Sequence, residues 1–432
     1  MAAHIDVLSE DVLCRIFEQL PFEDWLSCSA ACRRWNILFN KFLWPTVTCL
    51  DLKSHFRQAV LQDCSQLDAL LMRRVLRRSG CHVKAISAKM ISAARRSRRC
   101  FTARIEMTKL VLTDMALMCS NLTVLYLSGF VFRSFDCFSC LRLLPTCLTS
   151  ISLQWCRLDH YGPSVVSVDS LFKDIMLRYD KLEYLSVRGS CYGCWLMTEN
   201  AFGKCVPASM KGLDLAENFT AKIRHLRWVC MAPMLVELHL ERASINNDDL
   251  ELLVNSCPLL NALTIAYSSG VRNFTPLSRL AWLRRLALNG NRDHFLDDAL
   301  NAICQKCVYL EALSLESCSS LSEEGLMVLA SVRGLRELNV TSVQSFTDSC
   351  LEAICRNCAL LTNLNIKYCQ RLTAVGLSCL ILLKKLSILG VSGLKQFDRT
   401  LMVQKMGLYK SVHLLFVPIS LRAPILESVF KS

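Results

Sequence analysis

Apolar residues in this chain recur in a six-residue frame, L-x-x-L-x-L with aliphatic substitutes. The frame begins at Leu122, Leu148, Leu182, Met210, Leu235, Leu260, Leu283, Leu310, Leu335, Leu361 and Leu383, and more weakly at Val412. Two poorer frames lie upstream, Val47-Leu50-Leu52 and Val83-Ile86-Ala88. Each frame is too short and too apolar for a helix. Its last three positions alternate with period two, as in a half-buried strand. Helix signals follow several frames: INNDDLELLV (245–254), LSEEGLMVLA (321–330) and FTDSCLEAIC (346–355). Asn247, Ser322 and Thr347 are placed to cap these helices through a side-chain oxygen. Asp248, Glu323 and Asp348 follow in the first turn, where the helix dipole favours a negative charge. The spacing predicts a strand–turn–helix unit repeated about every 26 residues.

One such unit cannot bury its own apolar face. Stacked units share a continuous core and line their strands up in parallel. The period is that of leucine-rich repeats, and the predicted architecture is an α/β solenoid with parallel strands on the concave side and helices on the convex side. Because strand side chains alternate, positions 3 and 5 of each frame and the residue after position 6 point away from the core. Tyr126, Tyr184, Glu237, His239, Glu241 and Glu316 occupy such positions and are the candidate contacts for a protein or peptide ligand. The plainer alternative is that each is merely solvated.

The cysteines follow the same phase. Cys304/Cys307 in AICQKC and Cys355/Cys358 in AICRNC sit in the same frame. Cys119, Cys257, Cys307 and Cys358 each precede a frame by three residues, and Cys156, Cys318 and Cys369 follow a frame start by eight. A metal site needs about four ligands converging on one point. Rows of cysteine in one phase instead read as small buried hydrophobes. Cys137/Cys140 and Cys191/Cys194 fall in more irregular repeats, and for them both a zinc site and a place on the convex side stay open.

Residues 8–44, LSEDVLCRIFEQLPFEDWLSCSAACRRWNILFNKFLW, do not fit the repeat. Ser9 suits an N-cap, Val12, Leu13, Ile16, Phe17 and Leu20 recur at helical spacing, and Pro21 ends that helix. Apolar residues continue through two shorter helical pieces. A module this small cannot bury all of them by itself, and exposed apolar area on a small helical unit marks a partner site.

This stretch resembles an F-box. Leu8, Leu13, Ile16, Leu20, Pro21, Asp24, Cys32, Trp35, Leu43 and Trp44 match the family pattern, with departures at Ser9, Trp25 and Ala31. An F-box followed by cysteine-rich leucine repeats is similar to the F-box/leucine-rich-repeat proteins. That resemblance implies a non-catalytic substrate receptor of an SCF-type ubiquitin ligase. The F-box would dock on a Skp-family adaptor, and through it on a cullin scaffold. The repeats would hold a protein substrate, and transfer would be promoted by proximity. Leu8, Leu13, Ile16, Leu20, Pro21 and Trp35 are the candidate adaptor contacts, with core packing as the alternative for Leu13 and Trp35. The implied division is 1–46 F-box, 47–109 basic connecting segment with atypical first repeats, 110–417 leucine-rich repeats and 418–432 tail.

Composition adds compartment and charge. The chain has 432 residues, is 52% apolar, and holds 25 cysteines. No run of about 18 apolar residues suggests a membrane span. The N-terminus MAAHIDVLSED has no apolar signal core and VFKS at the other end has no prenylation cysteine. These features lead one to expect free thiols in a cytoplasmic or nuclear setting. Net charge is +13, and it is concentrated. Residues 73–109 carry Arg73, Arg74, Arg77, Arg78, Lys84, Lys89, Arg95, Arg96, Arg98, Arg99, Arg104 and Lys109 against Glu106 alone. This stretch reads as solvated surface, an atypical cap of the solenoid, an import signal (RRSRR, 95–99), a phosphate or nucleic-acid patch, or a recruiter of acidic partners. Phe101 is its one aromatic, which argues against a base-stacking platform. The competing reading of the whole chain is a repeat scaffold that binds nucleic acid or acidic partners through 73–109, without ligase activity. An enzyme is disfavoured: there is no phosphate-cradling glycine loop, no HExxH and no nucleophile elbow, and no cofactor is implied. The eight histidines are scattered without ligand spacing.

Overall fold

The computed structural model describes residues 5–52, 69–89, 105–159, 168–190, 197–218, 221–394 and 413–414. The chain forms two compact units, Met1–Leu196 with Glu217–Thr220, and Met197–Ala216 with Ala221–Ser432.

The first unit opens with helices α1 (Glu10–Glu18), α2 (Phe22–Ala31) and α3 (Arg33–Leu38), then a π-helical turn Phe39–Leu43 and a 3-10 turn Trp44–Thr46. Ser9 stands at the N-cap of α1 in extended conformation, but its side chain makes no capping hydrogen bond; its carbonyl accepts from Leu13 N–H. Pro21 stands at the N-cap of α2, so the Leu20-Pro21 pair separates the two helices. An aromatic cluster holds this part together. Phe17 lies 4.9 Å from the Trp35 ring and 4.8 Å from Phe39, and Trp25 lies 5.6 Å from Trp44 in edge-on geometry. Trp25, one of the departures from the F-box pattern, is thereby absorbed into the core. The turn Trp44–Thr46 packs on the helix Ala69–Ser79, and the Thr48 carbonyl accepts from Lys84 and Ala85. The helical part therefore runs directly into repeats.

Those repeats begin with the strand Cys49–Asp51, which pairs in parallel with Ala85–Lys89, then Val124–Ser128, Ser150–Gln154 and Tyr184–Ser186. The register puts Leu50 beside Ile86 and Ile86 beside Leu125, so both poor upstream frames are genuine repeats. In the second unit, Gly212–Asp214, Glu237–Glu241, Ala262–Ala266, Arg285–Ala287, Ala312–Ser314, Glu337–Asn339, Asn363–Asn365, Ile388–Gly390 and His413–Leu414 pair in the same parallel order. Here the frame at Leu383 is corrected. Leu364 pairs with Leu389, which makes Leu386, Leu389 and Val391 the true frame. Leu389 in turn pairs with Leu414, which moves the last frame from Val412 to Ser411. A run as apolar as GLSCLILLKKLSIL offers several starts, and only pairing with the previous strand selects one.

Frame positions 1, 4 and 6 are buried in repeat after repeat, as at Leu310, Leu313 and Leu315. Position 8 turns the chain out of the strand with positive φ, at Trp155, Glu217, Arg242, Tyr267, Ser317, Ser342 and Tyr368 as well as at glycines. Where an aromatic stands there, the next repeat requires glycine. A Cβ on Gly290 would come within 2.1 Å of the Tyr267 ring, and one on Gly393 within 2.1 Å of Tyr368.

The helix caps partly differ from expectation. Ser322 accepts from Gly325 N–H as predicted. The cap of the helix Asn247–Ser256 is Asn246, in a reciprocal capping box with Asp249. Thr347 does not cap; its hydroxyl donates instead to Glu323 of the preceding repeat, at 2.7 Å.

Candidate functional site

The phased cysteines are buried, and they do more than fill space. Cys257, Cys307 and Cys358 each point Sγ at two carbonyls of the preceding repeat: Val229 and Ala232, Leu277 and Leu280, Leu329 and Val332, at 3.5–3.8 Å. Cys156, Cys318 and Cys369 donate to the carbonyls of Leu127, Leu288 and Val340. In the second row Asn291 plays the same part, donating to Ile265 and Leu288. The S–H groups act as weak second donors: most of these carbonyls already accept an N–H within their own repeat, and the thiol adds a tie to the next one. Burial pushes the thiols of Cys156, Cys318 and Cys369 up to about 12, and those of Cys307 and Cys358 up to about 11. They stay protonated at neutral pH, which makes them poor nucleophiles. Cys137 donates to the Met107 carbonyl and Cys140 to that of Asp136. No group of three or more potential ligands converges among the described residues. Cys191 and Cys194 lie outside them.

Two surfaces remain as candidate sites. The first is on α1. Val12 and Ile16 are 42% and 38% exposed, one turn apart, and Pro21 is exposed beyond them. Leu8 and Leu20 are half-buried. The Leu8 carbonyl accepts from Arg34 at 2.7 Å, which ties the entering chain to α3. Leu13 is a correction. It is fully buried with Phe17 and forms the inner side of α1; positions 13 and 17 stack one turn apart, about 100° around the helix from 12 and 16. Trp35 is half-buried with its ring edge-on to Phe17.

The second surface is the strand face. In the first unit Tyr126 is half-buried, and its hydroxyl donates to Gln154 Oε1, whose amide donates to Ser186, a chain across three strands. Tyr184, also half-buried, lies two strands from Tyr126, in register with Ser150 and Val124. In the second unit two of the candidate outward positions are covered rather than solvated. Glu237 is 4% and His239 3% exposed. Flanking strands about 4.8 Å away on both sides leave little room above a short strand. His239 Nδ1 shares a hydrogen bond of 2.8 Å with Thr264. Burial and the neighbouring Asp214 raise the Glu237 carboxyl to about 7, with Arg285 opposing. Further along, Asn289 Oδ1 accepts from Ser314 and from Glu316 N–H, and Asn339 donates to Ser314. Glu241 and Glu316 are half-buried and more open than Glu237. Tyr126 and Tyr184 thus belong to the first unit, and Glu237, His239, Glu241 and Glu316 to the second.

Of the basic stretch, Arg73 is held by Asp114 through two bonds of 2.9 and 3.0 Å. Arg74 and Arg77 are exposed on the same helix. The RRSRR run lies outside the described residues. No helix among the described residues is long and apolar enough to cross a membrane.

The helical part that carries the α1 surface has a match among known families. Residues 10–50 match the F-box-like family. The segment is F-box-like. Joined to it are leucine-rich repeats, shown by the parallel strand order and the buried frame described above. A stretch of 144 residues is 28% identical to F-box/LRR-repeat protein 4 of Bos taurus, covering 32% of this chain and 23% of that relative. Solved structures of similar build include the yeast complex of Rad7 and Elc1 (TM-score 0.49, 12% identity, 84% of this chain and 88% of that one). An internalin from Listeria monocytogenes gives 0.47 at 14% identity, covering 84% and 98%. An LRR protein of Leptospira interrogans gives 0.44 at 13%, covering 82% and 94%.

Proposed function

We propose that this protein is the substrate-recognition subunit of an SCF-type ubiquitin ligase. The F-box-like segment docks on a Skp-family adaptor and, through it, on a cullin; the repeats hold a protein substrate for ubiquitination and degradation, in the cytoplasm or nucleus. The observation that carries the reading is the F-box-like α1. It keeps its inner side, Leu13 and Phe17, in the core, and leaves Val12 and Ile16 open beside Pro21. An apolar helix face left open on a small, well-packed unit fits a permanent partner. The receptor does no chemistry on this reading. It raises the local concentration of substrate beside a charged conjugating enzyme.

Co-purification tests it. The full chain is expected to bring down adaptor and cullin together, and the double variant Val12→Glu/Ile16→Glu to bring down neither while keeping its circular dichroism. Equal recovery of both partners by the variant would sink the reading. Nucleic-acid binding through the basic helix would instead fall steeply with salt, which docking through an apolar face does not.

A further inference from the structure

The residue just before each frame stands at the edge where the chain enters a strand. In four consecutive repeats of the second unit this position carries Met234, Leu259, Trp282 and Tyr309, 47%, 40%, 54% and 46% exposed. Each lies three residues ahead of a registered strand residue: Glu237, Ala262, Arg285 and Ala312. The four side chains therefore stand side by side. The Trp282 and Tyr309 rings demonstrate this directly, stacked with centroids 5.5 Å apart and planes within 4°. Val308, 69% exposed, widens the strip. The same position is Ser209 on one side of the strip and Gly334 on the other, so the strip has ends. Large apolar side chains gain nothing for folding at this exposed edge, and Trp, Tyr and Met are the residue types that anchor interfaces.

The border of the strip is charged, and mostly of one sign. The Arg284 guanidinium lies 5.8 Å from the Tyr309 ring centroid and pairs with Glu311 at 2.5 Å, while Arg336 reaches the same carboxylate at 3.8 Å. Lys306 and Arg333 are exposed at the Tyr309 end. Against these four cations stands the Glu311 carboxylate, which is shared between two of them.

We propose that this strip is a docking surface for an amphipathic helix of a partner protein, with an apolar stripe flanked by Asp and Glu. Three strand spacings make the strip about 14 Å long. A helix covers that length in about ten residues, roughly three turns, with anchors at i, i+3, i+4 and i+7. The aromatic pair supplies the buried anchor. The cations at Arg284, Arg333 and Arg336 meet the acidic flank, which sets orientation and speeds encounter. The surface is independent of adaptor docking on α1, and its test has no ubiquitination readout, so failure of either reading leaves the other standing.

The test uses the full chain and two labelled synthetic helical peptides of about fourteen residues. Both carry the same leucine stripe, one flanked by Glu and the other by Lys. Fluorescence polarisation is expected to show the Glu peptide binding about tenfold tighter or more. Trp282→Ser/Tyr309→Ser should weaken it by a similar factor, and Arg284→Glu/Arg336→Glu should turn the preference towards the Lys peptide. No binding of the Glu peptide, equal binding of both, or indifference to the Trp282 and Tyr309 changes overturns the proposal. So does sedimentation showing a dimer that Trp282→Ser/Tyr309→Ser converts to monomer, because the strip then joins two copies of this chain.

Discussion

The open face of α1 and the strand face of the second unit reverse the usual relation of polarity to exposure. On α1, Val12 and Ile16 are apolar and open. On the strand face, Glu237 and His239 are polar and covered. The difference comes from neighbours. A lone helix on the outside of a small unit has nothing beside it, whereas a strand in a parallel stack has a strand on each side about 4.8 Å away. Polar character alone therefore does not mark a binding residue in these repeats. Much of the polarity there is internal wiring, as in the Asn289–Ser314–Asn339 chain. The docking surfaces are to be sought where side chains stand clear: α1, the half-open Glu241 and Glu316, and the strand-entry edge at Trp282 and Tyr309.

The largest effect should separate the two sides of α1. Leu13→Ala removes a fully buried side chain and should cost about 2–5 kcal/mol of stability. Ile16→Ala should change stability by no more than about 0.5 kcal/mol yet weaken adaptor co-purification. Urea denaturation read beside pull-down checks this, and equal stability losses for the two would erase the distinction.

Next in size is the covered carboxylate. Glu237 has a folded value of about 7 against an ordinary 4.5. Its charged form is disfavoured by the fold, so the unfolded state releases its proton first. The contribution is neutral below about 4.5, and stability then falls as pH rises to about 7 and levels off above it. Glu237→Gln should remove that fall and gain up to about 3 kcal/mol at pH 8, with nothing gained at pH 4. Thermal melts across that range measure it; a variant with the same pH profile as the natural chain would show that the strand face is wet after all.

The smallest effect concerns the thiol rows. Cys318→Ala deletes one of the two donors to the Leu288 carbonyl, leaving that of Asn291, and opens a small void, costing about 0.5–1.5 kcal/mol. Alkylation should proceed in the order expected of exposure, with Cys32, Cys49, Cys81 and Cys230 before any buried cysteine. Rapid labelling of Cys318 in the folded chain would contradict the packing described.

How far the sequence could be read depended on how periodic each part was. From Leu122 to Leu361 the six-residue frame itself is clear even where the repeats between frames vary in length, and every predicted start leads into a registered strand. At the C-terminal end, Leu380, Leu382, Leu383, Leu386 and Leu389 satisfy the frame in more than one way, and the choice fell three residues off. On α1 the helical spacing was visible, but assigning Leu13 outward required knowing which side the Phe17–Trp35–Phe39 cluster would occupy. The aromatic strip was also present in the sequence, as one repeated position, yet nothing in the pattern separates a large residue at an edge from one inside a turn.

The sequence by itself determined the repeat, the burial of the phased cysteines and the helical F-box-like start, because all three follow from local spacing against a fixed helix or strand period. The tertiary structure alone decided strand register, which side of α1 is open, the covering of Glu237 and His239, and the bonding of the cysteine thiols. Each of these depends on what the neighbouring repeat or helix brings alongside, across about 25 residues of chain, a distance at which periodicity constrains phase but not contact.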